Sequence, residues 1–405
     1  MRNTMKNNRT FLEKLLDGAE VEWKPLKDVA EYIRGVTYNK ANESTNNIGY
    51  KVLRANNITL PGNTLNFDDI KVIKFDTKVK SSQMLYKNDI LISAASGSRE
   101  HVGKVAFIYQ DIDYYFGGFM GVIRCNNNVN SRYLFHIFTS SIFQDYLNEV
   151  LNSSTINNLN SKVMDSFRLP IPPLSVQTEI VKILDALTEL TSELTSELIL
   201  RRKQYEYYRE KLLSHDSSEY STQKSDKVKF FHTSNIQWLH LNEIYKFQYG
   251  IGNKIPTIGG KYPVYGSNGI VGSHNEYNSE DAPVIGHIGA YAGIVNWAEG
   301  KHFVTYNGII CNKINDNVNS RYAYYLLLSQ NFIDKANKAS QPFISYDILN
   351  KCIVPVPPLK EQQRIVSILD KFETLTNSIT EGLPLAIEQS QKRYEYYREL
   401  LLNFS

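Results

Sequence analysis

The chain has 405 residues, 42% hydrophobic and 12% aromatic, too long for one ordinary core and suited to two or more domains. A formal charge of +3 is compatible with nucleic acid but does not argue for it. No apolar run has the length of a membrane span, and the polar start from Met1 to Thr10 lacks a signal-like segment. Cys125, Cys311 and Cys352 form neither a zinc pattern nor a disulfide framework, so a cytoplasmic protein is expected.

The chain opens with Phe11-Leu12-Glu13-Lys14-Leu15-Leu16, a short helical stretch similar to Arg209-Glu210-Lys211-Leu212-Leu213. Each precedes a tryptophan, Trp23 or Trp238, that starts a region of short β-type runs. Examples are Val72-Ile73-Lys74-Phe75, Asp89-Ile90-Leu91-Ile92 and Pro283-Val284-Ile285-Gly286, with Gly- and Ser-rich turns between them. Asn128-Val129-Asn130-Ser131-Arg132-Tyr133 recurs letter for letter at residues 317–322, in both copies before a short apolar helix. Leu169-Pro170-Ile171-Pro172-Pro173-Leu174 recurs as Val354-Pro355-Val356-Pro357-Pro358-Leu359, and Ile183-Leu184-Asp185 as Ile368-Leu369-Asp370. Tyr205-Glu206-Tyr207-Tyr208-Arg209-Glu210 returns unchanged at 394–399. Such a repeat predicts two similar halves. The interval from Gly35 to Pro172 exceeds that from Gly250 to Pro357 by about 30 residues, expected as loops.

After Pro173 apolar residues recur every three or four positions from Ile180 to Leu212, broken only by Arg201, a heptad-like seam that predicts a long helix. Its interface candidates are Leu187, Leu190, Leu194, Leu198, Tyr205 and Tyr208. The second copy runs from Ile365 to Leu401 through Phe372, Leu375, Ile379, Tyr394 and Tyr397, with a kink or break expected near Gly382 because Pro384 follows. Thr191-Ser192-Glu193-Leu194 is duplicated as residues 195–198; the added tetrapeptide keeps the seam nearly in phase and lengthens the helix by about 6 Å.

The expected fold is α+β: two globular domains of mostly β character separated by two long helices pairing as an antiparallel coiled coil, with a pseudo-two-fold internal repeat. Its segments are 1–22 (helical), 23–169 (first globular domain), 170–215 (first helical region), 216–237 (linker), 238–354 (second globular domain) and 355–405 (second helical region).

Chemical signatures are missing. There is no phosphate loop and no Asn-Pro-Pro-aromatic motif, and Gly250-Ile251-Gly252 lacks its third glycine. The histidines show no metal-ligand spacing, and Ser98 and His101 lack a partner acid, so no catalytic residue and no metal site are expected. The candidates for nucleic-acid contact are Arg34, Ser96, Ser98, Arg99, His101 and Lys104 in the first globular domain, and Lys254, Ser267, Asn268 and His274 in the second.

The two Pro-Pro-Leu helix starts, with Gln177 after one and Glu361-Gln362 after the other, carry a resemblance to a known family. So do the twin Tyr-Glu-Tyr-Tyr-Arg blocks and the stretch from Lys261 to Gly269. The chain resembles the specificity subunit of a type I restriction-modification system. The resemblance implies two target-recognition domains, each reading one half of a split DNA site, and helices that dock two modification subunits. S-adenosylmethionine, ATP and magnesium would belong to the modification and restriction partners, with none in this chain. Two rivals are a coiled-coil scaffold displaying protein- or glycan-binding β domains, and a self-contained methyltransferase, which the missing motif counts against.

Overall fold

The structure, a computed structural model, describes residues 10–60, 62–153, 158–214, 236–252, 255, 259–337 and 340–404. Residues 216–235 of the expected linker and the candidate Lys254 lie outside the described residues. The chain divides into two compact units, residues 1–194 with 387–405, and residues 195–386. This division differs from the expected boundaries at 169 and 354, because parts of the long helices belong to each unit's core. In the first unit Ile180, Leu184, Leu401 and Leu402 share one buried cluster with Leu26, Ile90, Tyr133 and Leu169. In the second, Tyr205, Leu212, Ile365 and Leu369 pack with Leu241, Ile309, Tyr322 and Val354. Each such leucine or isoleucine contributes about 2 kcal/mol by leaving water, so the helices stabilise the units they enter.

The first unit has two four-stranded sheets. One is antiparallel, in the order Ala30–Arg34, Met120–Cys125, Ile90–Ser93, Val105–Phe107. The other runs Lys71–Ile73, Tyr50–Leu53, Ile112–Phe116, Met84–Leu85, with its central pair parallel. The second unit has one six-stranded sheet: Tyr245–Tyr249, Gly308–Lys313, Ser279–Gly286, Val295–Val304, Tyr262–Gly266, Gly269–His274. Its parallel pair is Tyr262–Gly266 with Val295–Val304. The ten-residue strand Val295–Val304 pairs with both Ser279–Gly286 and Tyr262–Gly266, whereas its counterpart is broken into Val105–Phe107 and Ile112–Phe116. The surplus of the first unit is not all loop; it includes the hairpin Ile58–Thr59/Thr64–Leu65 and several single 3-10 turns.

A two-stranded ribbon closes each unit at its start and end. Glu22–Pro25 pairs with Arg168–Ile171, and Gln237–His240 with Ile353–Val356. Prolines at 170, 172 and 173 hold the backbone extended and withhold amide donors, so the helix can begin only at Leu174, and it then runs forty residues to Leu213. The second copy breaks as expected. One helix spans Leu359–Asn377, the next Leu383–Leu402, and Pro384 sits in the first turn where its missing amide costs nothing. Gly382 at the break has φ +85°, and a side chain there would press on the Thr374 carbonyl oxygen at 2.5 Å.

Within each unit the helix contacts run antiparallel. Thr191 Oγ1 meets Ser390 Oγ at 2.8 Å in the first unit. In the second, Tyr208 stacks on Phe372 at 5.6 Å while Arg202 reaches the Thr376 carbonyl. The seam departs from the sequence pattern at three candidates. Ile379 is 78% exposed because it falls in the break, where no helix carries it inward, and Leu190 and Tyr397 are exposed at the edge of the seam.

Candidate functional site

The repeated hexapeptide builds the same joint in both units. Asn130 caps the helix Ser131–Thr139, accepting from the Arg132 and Tyr133 amides, and Asn319 caps Ser320–Ser329 in the same way. The Asn130 amide donates to Gln177 Oε1 at 2.9 Å, and the Asn319 amide to Gln362 Oε1 at 2.7 Å. Each glutamine is fully buried, and its Nε2 donates to a proline carbonyl, Pro172 or Pro357. Tyr133 donates to the Pro170 carbonyl at 2.9 Å, and Tyr322 to the Pro355 carbonyl at 3.0 Å. Because the prolines leave their ribbons short of donors, these side chains satisfy carbonyls that would otherwise be buried alone.

Arginine completes each joint. Arg132 pairs with Asp185 on the long helix and lies over Phe107, Tyr109 and Phe135 at 4.7, 5.4 and 4.7 Å from the ring centroids. Arg321 pairs with Asp370 and Glu373 and lies over Trp297, Tyr324 and Tyr325 at 5.1, 4.8 and 5.2 Å. An arginine plane that stacks on rings while its edge meets a carboxylate is held in one orientation.

One turn further along, the two joints differ. In the first unit the fully buried His136 brings Nε2 within 3.0 Å of Asp185 Oδ1 and Nδ1 within 3.1 Å of the Tyr394 hydroxyl. Burial pushes the His136 pKa down, and the neighbouring Arg132 adds to that, against the hydrogen bond to Asp185. A neutral ring then donates from Nε2 to the carboxylate and accepts at Nδ1 from Tyr394. Burial alone would raise the Asp185 pKa, but hydrogen bonds from His136 and Arg132 hold it at about 2. In the second unit Tyr325 takes this place, donating to Asp370 at 2.5 Å and Glu373 at 2.9 Å. Burial, then the two carboxylates, push its hydroxyl well above the ordinary range. Ser141 and Arg398 bind Glu399 beside the first joint and hold its pKa low against burial.

The nucleic-acid candidates are dispersed. Arg34 ends the strand Ala30–Arg34, its guanidinium donating to Asn158 Oδ1, the Leu159 carbonyl and the Gly118 carbonyl. Ser96 Oγ accepts from the Ser98 amide, and Ser98 Oγ bonds Glu100. Arg99 reaches Asn152 and Asn148 on the helix Ser141–Ser153, and His101 lies 3.8 Å from Glu100. The Lys104 carbonyl accepts from the Ser93 amide within the sheet. In the second unit His274 stacks on Phe303 and accepts from the Glu276 amide. Ser267 presses its carbonyl within 2.5 Å of where a side chain at Gly286 would stand, and Asn268 sits in the turn before Gly269–His274. Arg132, His136, Asp185, Arg321 and Asp370 escaped the candidate list. For the arginines and aspartates the signal was the literal repetition of the hexapeptide and of Ile-Leu-Asp; His136, replaced by Tyr325 in the second copy, had none. Among the described residues, no group of three metal-ligating side chains occurs and no helix is long and apolar enough to cross a membrane.

Two β-rich units, each fastened to long helices by one duplicated joint, define a class of repeat-built adaptor. The family profile described as "Type I restriction modification DNA specificity domain" matches residues 19–201 and 242–389. A type I restriction enzyme specificity subunit from Haemophilus influenzae is 38% identical over 99% of this chain and 100% of its own length. The EcoR124I/EcoR124II specificity subunit of Escherichia coli is 31% identical over 98% of this chain and 97% of its own. The chain belongs to the type I restriction-modification DNA specificity family. At the level of fold alone, it resembles the crystal structure of the S subunit from M. genitalium, with TM-score 0.52 and 18% identity over 95% of this chain and 96% of that one. A chain from a structural study of type I system assembly and conformational transition gives TM-score 0.56 at 15% identity, covering 95% and 98%.

Proposed function

We propose that this chain is the non-catalytic DNA-reading subunit of a type I complex, each unit reading one half of a bipartite, asymmetric site while the helices dock two modification subunits. The observation that carries this reading is the duplicated joint. Asn130, Arg132, Tyr133, Gln177 and Asp185 do in one unit what Asn319, Arg321, Tyr322, Gln362 and Asp370 do in the other. Fastenings that share these five residues under divergent β bodies suit a protein that presents two different readers on one frame. S-adenosylmethionine, ATP and magnesium are assigned to the partners, and cytoplasmic operation follows from a DNA substrate.

The reading is tested by mapping methylation with the chain assembled alongside its modification subunits. A split motif, with DNA binding that weakens steeply as salt rises, is the expected outcome. Methylation by this chain alone, or salt-insensitive binding, overturns it. The tetrapeptide repeat gives a second test. Deleting residues 195–198 removes about 6 Å of helix, so the unread spacer should shorten by one or two base pairs at about 3.4 Å each. An unchanged spacer refutes the ruler.

A further inference from the structure

Backbone hydrogen bonds match the two units residue for residue at a place where their side chains share almost nothing. The Gly35 amide donates to the Met120 carbonyl and the Gly250 amide to the Gly308 carbonyl. Val36 donates to Phe116, and Ile251 to Val304. Gly117 donates to Leu53, and Thr305 to Tyr265. Met120 donates back to Gly117, and Gly308 to Thr305, which closes the same tight turn in both units. The carbonyl within the turn accepts from Ala94 and Ala95 in one unit and from His287 in the other, and Leu159 and Ile344 continue the pattern. Both frameworks require glycine before the turn. A Cβ at Gly35 would stand 2.0 Å from the Gly117 carbonyl oxygen, and one at Gly250 would stand 2.1 Å from that of Thr305.

This backbone correspondence sets Arg34 against Tyr249, Gly118 against Tyr306, Phe119 against Asn307, Ala94 against His287, and Asn158 against Phe343. The joint lies at one end of the strand pairs Ala30–Arg34/Met120–Cys125 and Tyr245–Tyr249/Gly308–Lys313, and this turn lies at the other. The shared hexapeptide lies at the joint end of these strands, whereas at the turn end the side chains diverge on one unchanged backbone. Each turn also carries an aromatic ring in the open, Phe119 at 74% exposure and Tyr306 at 46%.

The rings are braced differently. Arg34 holds the first turn by its bond to the Gly118 carbonyl. In the second, Tyr249 stacks on Tyr346 at 4.3 Å and lies tilted against His287 at 4.3 Å, and Tyr306 packs on His287 at 5.0 Å. Bracing removes the ordering cost that a free loop would meet on binding. Arg34 thereby becomes a support for the turn, with its guanidinium occupied by three acceptors.

We propose that these turns are base-reading contacts of the two units, with Phe119 and Tyr306 as specificity-determining residues on double-stranded DNA. This deepens the DNA-reading function proposed above and rests on it. Phe119 has no polar atom, so it fits a thymine methyl group in the major groove; Tyr306 adds a hydroxyl that can bond a base edge.

The test assembles the chain with its modification subunits and scores methylation across randomised duplexes by sequencing. Phe119→Ala should lower discrimination at one base pair of one half-site about tenfold and leave the other half-site as it was. Tyr306→Ala should do the converse, and Tyr306→Phe should lose only the part owed to the hydroxyl. If Phe119→Ala fails to assemble, Phe119→Leu carries the same expectation and the same refutation. Motifs unchanged in both alanine variants, within a complex whose wild type methylates a split site, overturn the proposal. A wild-type complex that methylates no split site overturns the underlying reading instead.

Discussion

The joints of the two units share five residues in the same roles and differ in how the centre is finished. The first uses one carboxylate, Asp185, and hands its remaining bond to a histidine that is itself held by Tyr394. The second uses two carboxylates, Asp370 and Glu373, and a tyrosine that bonds both. One joint is therefore a chain in which every link depends on the next, and the other is a cluster with a spare acceptor. Redundancy and titratability thus separate two otherwise equal fastenings.

The largest expected effect breaks the chain. Asp185→Ala leaves Arg132 and His136 facing an empty place, and should cost the first unit about 3 kcal/mol. Asp370→Ala should cost the second only about 1 kcal/mol, because Glu373 still holds Arg321 and Tyr325. Hydrogen exchange in the helices Ser131–Thr139 and Ser320–Ser329 reads the two losses separately. Equal losses would refute the contrast.

Acid should sharpen it. His136 has a folded pKa below its unfolded value, so the unit favours the neutral ring. Its stability is full above pH 6.5 and declines as pH falls below that towards the folded value. Asp185 titrates lower: its contribution is present above about pH 4 and is lost as pH falls towards about 2. Between pH 7.5 and 5 protection against exchange, corrected for the intrinsic rate, should therefore fall in the first helix, and His136→Tyr should remove that fall; the second helix answers to His302, whose pKa burial also lowers. Acid sensitivity that survives His136→Tyr would place its origin elsewhere.

Two smaller changes test what the joints have in common. Tyr133→Phe and Tyr322→Phe each orphan a proline carbonyl and should cost about 1 kcal/mol, alike in both units, by urea unfolding followed through exchange. Thr191→Val should cost the first unit less than about 1 kcal/mol, since Ser390 can turn its hydroxyl elsewhere.

The sequence made the joints legible because their residues are repeated outright, and the proline pairs marked where each long helix begins. Pro384 and Gly382 announced the break, although Ile379 still read as a seam residue by its spacing. Strand pairing in the second sheet, with its parallel pair beside the hairpin, left no trace in local periodicity. Neither did the roles of Phe119 and Tyr306. Their residue types differ, and only the backbone hydrogen bonds show that they stand at neighbouring positions of one shared turn. His136 read as an ordinary surface or core histidine because Asp185 and Tyr394 approach it from distant parts of the chain.

The ribbons have a consequence for folding. Trp23 pairs with Pro170, and Trp238 with Pro355, in the same register in both halves. Exchanging the two partners would alter the summed loop-closure terms by less than about 0.5 kcal/mol, too little for chain length to sort them. The sorting must fall to residues that the repeat does not share, such as Arg168, which donates across its ribbon to the Trp23 carbonyl where the second ribbon has Ile353.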